Sequence, residues 1–340
     1  MTDAIIVGAG IVGAACAYYL AQEGIAVTVL ESEFAGAGAT AAGMGHIVVL
    51  DDDPLSLYSQ HLLWSLDPPN IGLDRCGTLW VAETGDQLSA ASAKRGAEIL
   101  NEQSLREAEP ALRPGLAGAL LVRDDGVVYQ PLLTRWLLDR AREAGATVRE
   151  HQRVDSLEGL RAEIVVNAAG AAAPSLTPRL PIIPRKGHLV VTDRVPGLCH
   201  HQIVELGYVQ SAHTLGDASV AFNVQPRSTG QVLIGSSREL VGWDASINRD
   251  VLARMLHRAV SFIPALADVP ALRTWTGFRP ATPDHRPFIG AWPDTPRVWI
   301  AAGHEGLGIT MALGTGRLLT DLICGRAPAI DPTPYSPARV

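Results

Sequence analysis

The sequence predicts an α/β part joined to an α+β part, and three observations predict it. The 340 residues are too many for one simple core, and 47% hydrophobic with 19% charged residues can bury two intimately joined domains. The N-terminus reads as strand, glycine turn, helix and strand. Between Ile182 and Ser237, short β-like runs follow one another with turn glycines between them.

The first element is Ala4 to Val7, an unbroken apolar run of the kind a strand covered on both faces requires. Gly8-Ala9-Gly10-Ile11-Val12-Gly13 follows as G-x-G-x-x-G, then a helical stretch from Ala14 to Gln22, a closing Gly24, and a second apolar run, Ala26 to Leu30, ending in Glu31. Together they make one βαβ unit of about thirty residues. In such a unit Gly8 permits the tight turn, Gly10 lets backbone approach a pyrophosphate, and Gly13 lets the helix pack closely on the strand. The helix N-terminus offers its dipole and unpaired N–H groups to phosphate. Glu31 is placed to accept from both hydroxyls of an adenosine ribose and to disfavour a 2′-phosphate, as in NADP. A bound dinucleotide follows; the motif alone leaves FAD and NAD open.

Farther along, Pro131 to Gly145 reads as a helix and Val148 and Ile164 to Val166 as strands. Ile182–Ile183, Leu189–Thr192, Val220–Val224 and Val232–Ile234 are the β-like runs of the sheet domain. Ile247 to Phe262 is a helix with an apolar stripe at Val251, Leu252, Met255 and Leu256. Val298 to Ala302 reads as a strand entering Gly303-His304-Glu305-Gly306-Leu307-Gly308-Ile309-Thr310, after which Met311 to Ile323 is an apolar-faced helix. A second glycine turn feeding a helix is redundant for a nicotinamide cofactor, but useful where a redox ring must also be held by N–H groups. The Pro-rich end is expected to be a surface tail.

A net charge of −7 argues against nucleic acid as a partner. The four cysteines, Cys16, Cys76, Cys199 and Cys324, are far apart, which disfavours structural zinc and a disulfide framework and fits a reducing, cytoplasmic setting. No metal is expected. The uncharged run Ala4 to Gln22 belongs to the glycine-turn unit, no other stretch reaches spanning length, and the chain is expected to be soluble with no membrane span.

Taken together, the blocks IIVGAGIVG, GAGATAAGMGHI, VVNAAG at Val165 to Gly170, GFRPATPDHRPFIG at Gly277 to Gly290, and AAGHEGLGIT at Ala301 to Thr310 resemble the D-amino acid oxidase superfamily of flavoproteins. They are spread over the whole chain. Within the superfamily, the GMGH loop and GHEGLG turn are most similar to the D-hydroxyproline dehydrogenase β-subunit type. The resemblance implies a Rossmann-like FAD-binding domain (1–50, 131–175 and 280–330) interleaved with a mixed-sheet substrate-binding domain (51–130 and 176–279), with 331–340 as the tail. It implies FAD-dependent dehydrogenation of a small D- or cyclic amino acid such as D-hydroxyproline or D-proline. Electrons would pass to a quinone, a carrier or a partner subunit. The alternatives are a glycine- or sarcosine-type oxidase producing hydrogen peroxide and an NAD-dependent reductase.

By the same resemblance, Arg279 in Gly277-Phe278-Arg279-Pro280 pairs with the substrate carboxylate, a task suited to a bidentate guanidinium. Asp284 and Arg286 are expected to pin that segment. His46 and Tyr208 are candidates to face substrate or flavin, with loop and core roles as the alternatives. The implied cofactor contacts are Gly8, Gly10, Gly13, Glu31, Thr40, Ala41, Gly45, His46, Ala169, Gly170, Gly303, His304, Gly306, Leu307, Gly308, Ile309 and Thr310. His304 either meets the isoalloxazine or braces its turn, and Glu305 either points away or holds a substrate amine. Lys186 and His188 are expected on a strand edge. Two departures stand out. The glycine turn lacks the second arginine that some relatives place there, which puts a glycine-oxidase assignment in doubt. No cysteine lies beside that turn, so FAD is expected to be non-covalent.

Overall fold

The computed structural model describes residues 3–49, 53–91, 96–207 and 218–339. In chain order its strands are β1 (Ala4–Val7), β2 (Val27–Leu30), β3 (His46–Ile47), β4 (Thr78–Ala82), β5 (Glu98–Asn101), β6 (Gly118–Val122), β7 (Gly126–Val127), β8 (Thr147–Arg149), β9 (Ile164–Asn167), β10 (Ile183–Thr192), β11 (Gln202–Glu205), β12 (Ser219–Pro226), β13 (Val232–Arg238), β14 (Ala271–Ala281), β15 (Phe288–Ala291) and β16 (Val298–Ala302). They form a six-stranded sheet in the order β15-β16-β9-β1-β2-β8 and an eight-stranded sheet in the order β14-β10-β13-β12-β11-β4-β6-β5; β3 and β7 pair separately.

The six-stranded sheet is parallel from β16 to β8, and only β15 runs the other way. Both faces of β1 are covered, as its unbroken apolar run requires. Ala4 and Ile6 enter the core formed with the helices Ile11–Gln22, Gln130–Glu143 and Gly308–Ile323, whereas Ile5 and Val7 enter a second core with Val165, Phe288 and Ile300. Small residues set the helix spacing. A Cβ on Gly316 would lie 2.6 Å from the Ala15 carbonyl, so the last helix packs against the first with backbones nearly touching.

The eight-stranded sheet buries one face beneath the helix Arg249–Phe262, with Phe222 and Val224 of β12 in that core. The alternate residues, Asn223 and Gln225, face the other way, toward the six-stranded sheet.

Two expectations fail. Lys186 and His188 do not lie on a strand edge: β10 runs between β13 and β14, and the two side chains are 1% and 0% exposed on its helix-covered face. Lys186 is tolerated there because Glu239 Oε2 (3.5 Å), Asp244 Oδ2 (3.4 Å) and Ser246 O (3.2 Å) surround its ammonium. Nor is the C-terminal segment a surface tail. It makes short 3₁₀ turns, and Tyr335 is 1% exposed, its hydroxyl donating to Asp53, the N-cap of helix Pro54–Leu66. Tyr335 is a large apolar body with one polar tip, which a proline-rich composition does not reveal.

Candidate active site

A continuous cavity of about 500 Å³ runs between the two sheets, within the size of a cofactor site. At one end lie Gly8, Gly10 and Glu31. Gly8 adopts φ +106°, and a Cβ there would meet Ala168 O at 2.6 Å, so no other residue fits the turn. A Cβ on Gly13 would strike Gly8 O at 2.0 Å, which makes Gly13 a packing residue rather than part of the cavity wall. Beside Gly10 an added Cβ would meet only Thr40 Oγ1, at 3.2 Å, leaving backbone open to a ligand. Thr40 Oγ1 also accepts from Ile11 N–H (3.0 Å), in the first turn of the leading helix. The Glu31 carboxylate is oriented by Ala9 N–H (2.7 Å), Ser32 Oγ (3.0 Å) and Glu33 N–H (2.9 Å). The open turn, oriented acid and helix N-terminus are a donor and acceptor set that fits a dinucleotide.

The middle of the cavity is lined by Gly45, His46, Ala169, Gly170, His304, Gly306, Gly308 and Ile309. Besides Gly13, four expected contacts lie off it. Ala41 is exposed on the outside of a short helix. Gly303 makes a tight turn at φ +88°, where a Cβ would lie 2.6 Å from Thr282. Leu307 caps the last helix and packs into the core. Thr310 is a buried tie, donating to His46 O (3.0 Å) and accepting from Val48 N–H (3.2 Å). Tyr208 lies outside the described residues.

His46 is not poised as an acid or base. Gln202 Nε2 donates to Thr78 Oγ1 (2.6 Å) and Gly126 O (3.0 Å), so Gln202 Oε1 is left to accept from His46 Nδ1–H, while His46 Nε2 accepts from Asn223 Nδ2 (3.0 Å). Burial pushes its pKa down to about 4, and Arg227 and Arg279 push the same way. His304 braces its turn: Nε2 meets Thr315 Oγ1 (2.9 Å) on the last helix, and burial lowers its pKa to about 3. Both histidines are therefore neutral near pH 7.

Arg279 ends the cavity. Its Nη1 donates to Ser237 O (2.9 Å), and its guanidinium lies flat over Gly187, where a Cβ would fall 2.2 Å from Nη1. Glu305, at φ +51°, turns its carboxylate to Thr282 N–H (3.0 Å), His285 and Arg185. Asp284 does pin the segment after Arg279: it accepts from Arg286 N–H (3.2 Å) and pairs with Arg339 (2.7 Å). The residues missed from sequence are Gly187, Asn223, Gln202 and Arg227. Arg227 anchors the His46 loop by donating to Met44 O (2.7 Å) and Val128 O (3.2 Å). The available signal was the alternation of amides within the apolar run of β12, which marks a buried polar face. Among the described residues no group of metal-ligating side chains occurs, and no helix is long and apolar enough to cross a membrane.

The DAO family model, FAD dependent oxidoreductase, matches residues 3–322. The chain is 30% identical over 372 residues to a glycine oxidase of Pseudomonas aeruginosa, covering 98% of both chains. It is 29% identical over 430 residues to a D-amino acid dehydrogenase of Xanthobacter autotrophicus, again covering 98% of each. It superposes on the crystal structure of glycine oxidase from Geobacillus kaustophilus with a TM-score of 0.89 at 28% identity, covering 99% of this chain and 98% of that one.

Proposed function

Because the chain belongs to the DAO family of FAD-dependent oxidoreductases, we propose that it dehydrogenates a small D- or cyclic α-amino acid, with D-hydroxyproline and D-proline as first candidates. The observation that carries this reading is Arg279, a guanidinium held by Ser237 O and laid on Gly187 at the end of a cavity that begins at the dinucleotide turn. The flavin, when bound, accepts the α-hydrogen with its electron pair, chemistry that no side chain supplies.

The chain's own residues bind and orient. The amides after Gly10 and the Glu31 carboxylate would hold pyrophosphate and ribose, and the Gly306 to Ile309 backbone would hold the flavin ring. None of the four cysteines lines the cavity, which supports non-covalent attachment. Arg279 would clamp the substrate carboxylate and fix the Cα–H bond toward the ring, an orientation effect that supplies much of the rate. With His46 and His304 neutral, the positive character of this end comes from arginine. The amine must arrive neutral, because its lone pair assists hydride departure. Electrons would then leave to a quinone, a carrier or a partner subunit.

A glycine- or sarcosine-type oxidase producing hydrogen peroxide is the second reading, favoured by the glycine oxidase relatives. The arginine-free glycine turn supports the first. FAD dependence sets the nicotinamide reductase aside. The test is the visible spectrum of the FAD-loaded protein under anaerobic D-hydroxyproline, D-proline, glycine and sarcosine. Bleaching by a proline-like substrate with slow recolouring in air is expected. Bleaching by glycine alone, with fast recolouring, would replace the first reading by the second.

A further inference from the structure

Asn223 stands on β12 with one half of its side-chain amide committed and the other half idle. A relay of polar groups fixes which half is which. Gln202 Nε2 donates to Gly126 O (3.0 Å) and Thr78 Oγ1 (2.6 Å), so Gln202 Oε1 accepts from His46 Nδ1–H. His46 Nε2 is then an acceptor, and it takes its hydrogen from Asn223 Nδ2 at 3.0 Å. The Asn223 amide cannot turn over without setting its oxygen against that lone pair. Its Oδ1 is therefore held as an acceptor, buried and with no hydrogen-bond partner among the described residues. Asn223 is 3% exposed and lines the cavity. A buried carbonyl oxygen without a donor is costly, so the site favours a ligand that brings one. Gln225 Oε1 is also unpaired, but Gln225 does not line the cavity.

The neighbours of Asn223 indicate what that donor is. Arg279, from β14, crosses Gly187 of β10 to reach Ser237 O on β13. On the next strand, Asn223 stands opposite Gly235, two residues before Ser237. One step between strands and two rises along a strand separate the two positions by roughly 8 Å. An α-amino acid spans such a gap with a hydrogen bond at each end. A carboxylate on Arg279 thus brings its α-nitrogen toward Asn223. The Glu305 carboxylate is engaged elsewhere: Oε1 accepts from Thr282 N–H (3.0 Å) and lies 3.3 Å from His285 Nδ1.

We propose that Asn223 Oδ1 receives the N–H of the substrate amine and completes, with Arg279, a two-point grip on the amino acid. The inference rests on the reading of Arg279 as the carboxylate clamp. A neutral ring amine has one N–H and one lone pair. With the N–H on Asn223, the lone pair stays free to assist hydride departure. An uncharged acceptor also supports the ammonium form less than a carboxylate would.

The test uses the FAD-loaded protein titrated with α-aminoisobutyrate and with pivalate, followed by the shift of the visible flavin band. The two ligands share a shape and differ by an amino group in place of a methyl; neither carries an α-hydrogen to give to the flavin. In Asn223→Leu, which keeps the side-chain size and removes the acceptor, the aminoisobutyrate-to-pivalate affinity ratio should fall roughly tenfold or more. A residue that only braced His46 would move both affinities together. An unchanged ratio, with pivalate still bound, therefore overturns the inference and leaves the Arg279 reading intact. Should Asn223→Leu fail to fold, the ratio in Asn223→Ala decides in the same way. Ser236 also lines the cavity with a buried, unpaired Oγ. A ratio lost in Ser236→Ala but kept in Asn223→Leu would give the amine to that hydroxyl and overturn the assignment. Pivalate affinity unaltered in Arg279→Lys would sink the clamp itself, and this inference with it.

Discussion

Gly187→Ala tests the proposed substrate clamp without touching its charge. The position has ordinary backbone torsion, so alanine is accepted locally, but its Cβ would stand 2.2 Å from Arg279 Nη1 and 2.8 Å from Cζ, against an ordinary contact of 3.4–4 Å. The obstructing atoms are the far end of a long side chain, so the chain relieves the clash by lifting the guanidinium rather than by moving backbone. A lift of about 1 Å breaks the bond to Ser237 O and misaligns a bound carboxylate, and a displacement of that size costs on the order of 10²-fold in rate. That corresponds to about 2.7 kcal/mol of lost transition-state stabilisation. Steady-state kinetics on whichever amino acid bleaches the flavin would measure it, with FAD content and melting temperature expected to stay at wild-type values. A variant within twofold of wild-type kcat/KM would refute the placement of Arg279 over Gly187 as the working geometry.

Arg279→Lys keeps the charge but loses the bidentate fork, and kcat/KM should fall roughly 10²-fold, mostly through KM; unaltered kinetics would remove Arg279 from the site. Gly316→Ala should force the last helix off the first, where a Cβ lies 2.6 Å from Ala15 backbone, lowering stability by about 1–3 kcal/mol and the Tm by several degrees; an unchanged Tm would contradict that packing. Stability should also depend on acid. With His46 held down to about 4 and His304 to about 3, both from an ordinary 6.5, the unfolded chain binds more protons between roughly pH 4 and 6.5. That stability is fully present above pH 6.5 and is lost as pH falls through the window, by up to ~1.4 kcal/mol per unit for each histidine. Urea midpoints at pH 7.5 and 5 measure the loss, and His304→Asn should flatten it; a wild-type midpoint independent of pH would refute the neutral, buried assignment.

The leading βαβ unit was legible because every constraint on it is local. The positive φ at Gly8, the close approach at Gly13 and the acid at the end of β2 all fall within one short stretch, so the motif carries its own geometry. Strand β1 begins and ends where its apolar run does, and the helix Gln130–Glu143 follows its own period. The role proposed for Arg279 comes instead from resemblance, since nothing local distinguishes it from the other arginines of the chain.

What the tertiary structure alone decided is which long-range neighbour each polar group meets. His46 is read from sequence as facing flavin or substrate or as a loop histidine, and it is the fold that places Gln202 and Asn223, from strands far along the chain, on both its nitrogens. Lys186 is buried because β10 pairs on both sides and a loop returns Glu239 and Asp244 to its ammonium. The proline-rich end is docked because Asp53 caps a helix and still has an oxygen for Tyr335. The physical reason is common to all three. Apolar pattern and glycine torsions are properties of a segment, whereas the cost of a buried charge or amide depends on what stands within about 3 Å of it, and only the assembled sheets determine that.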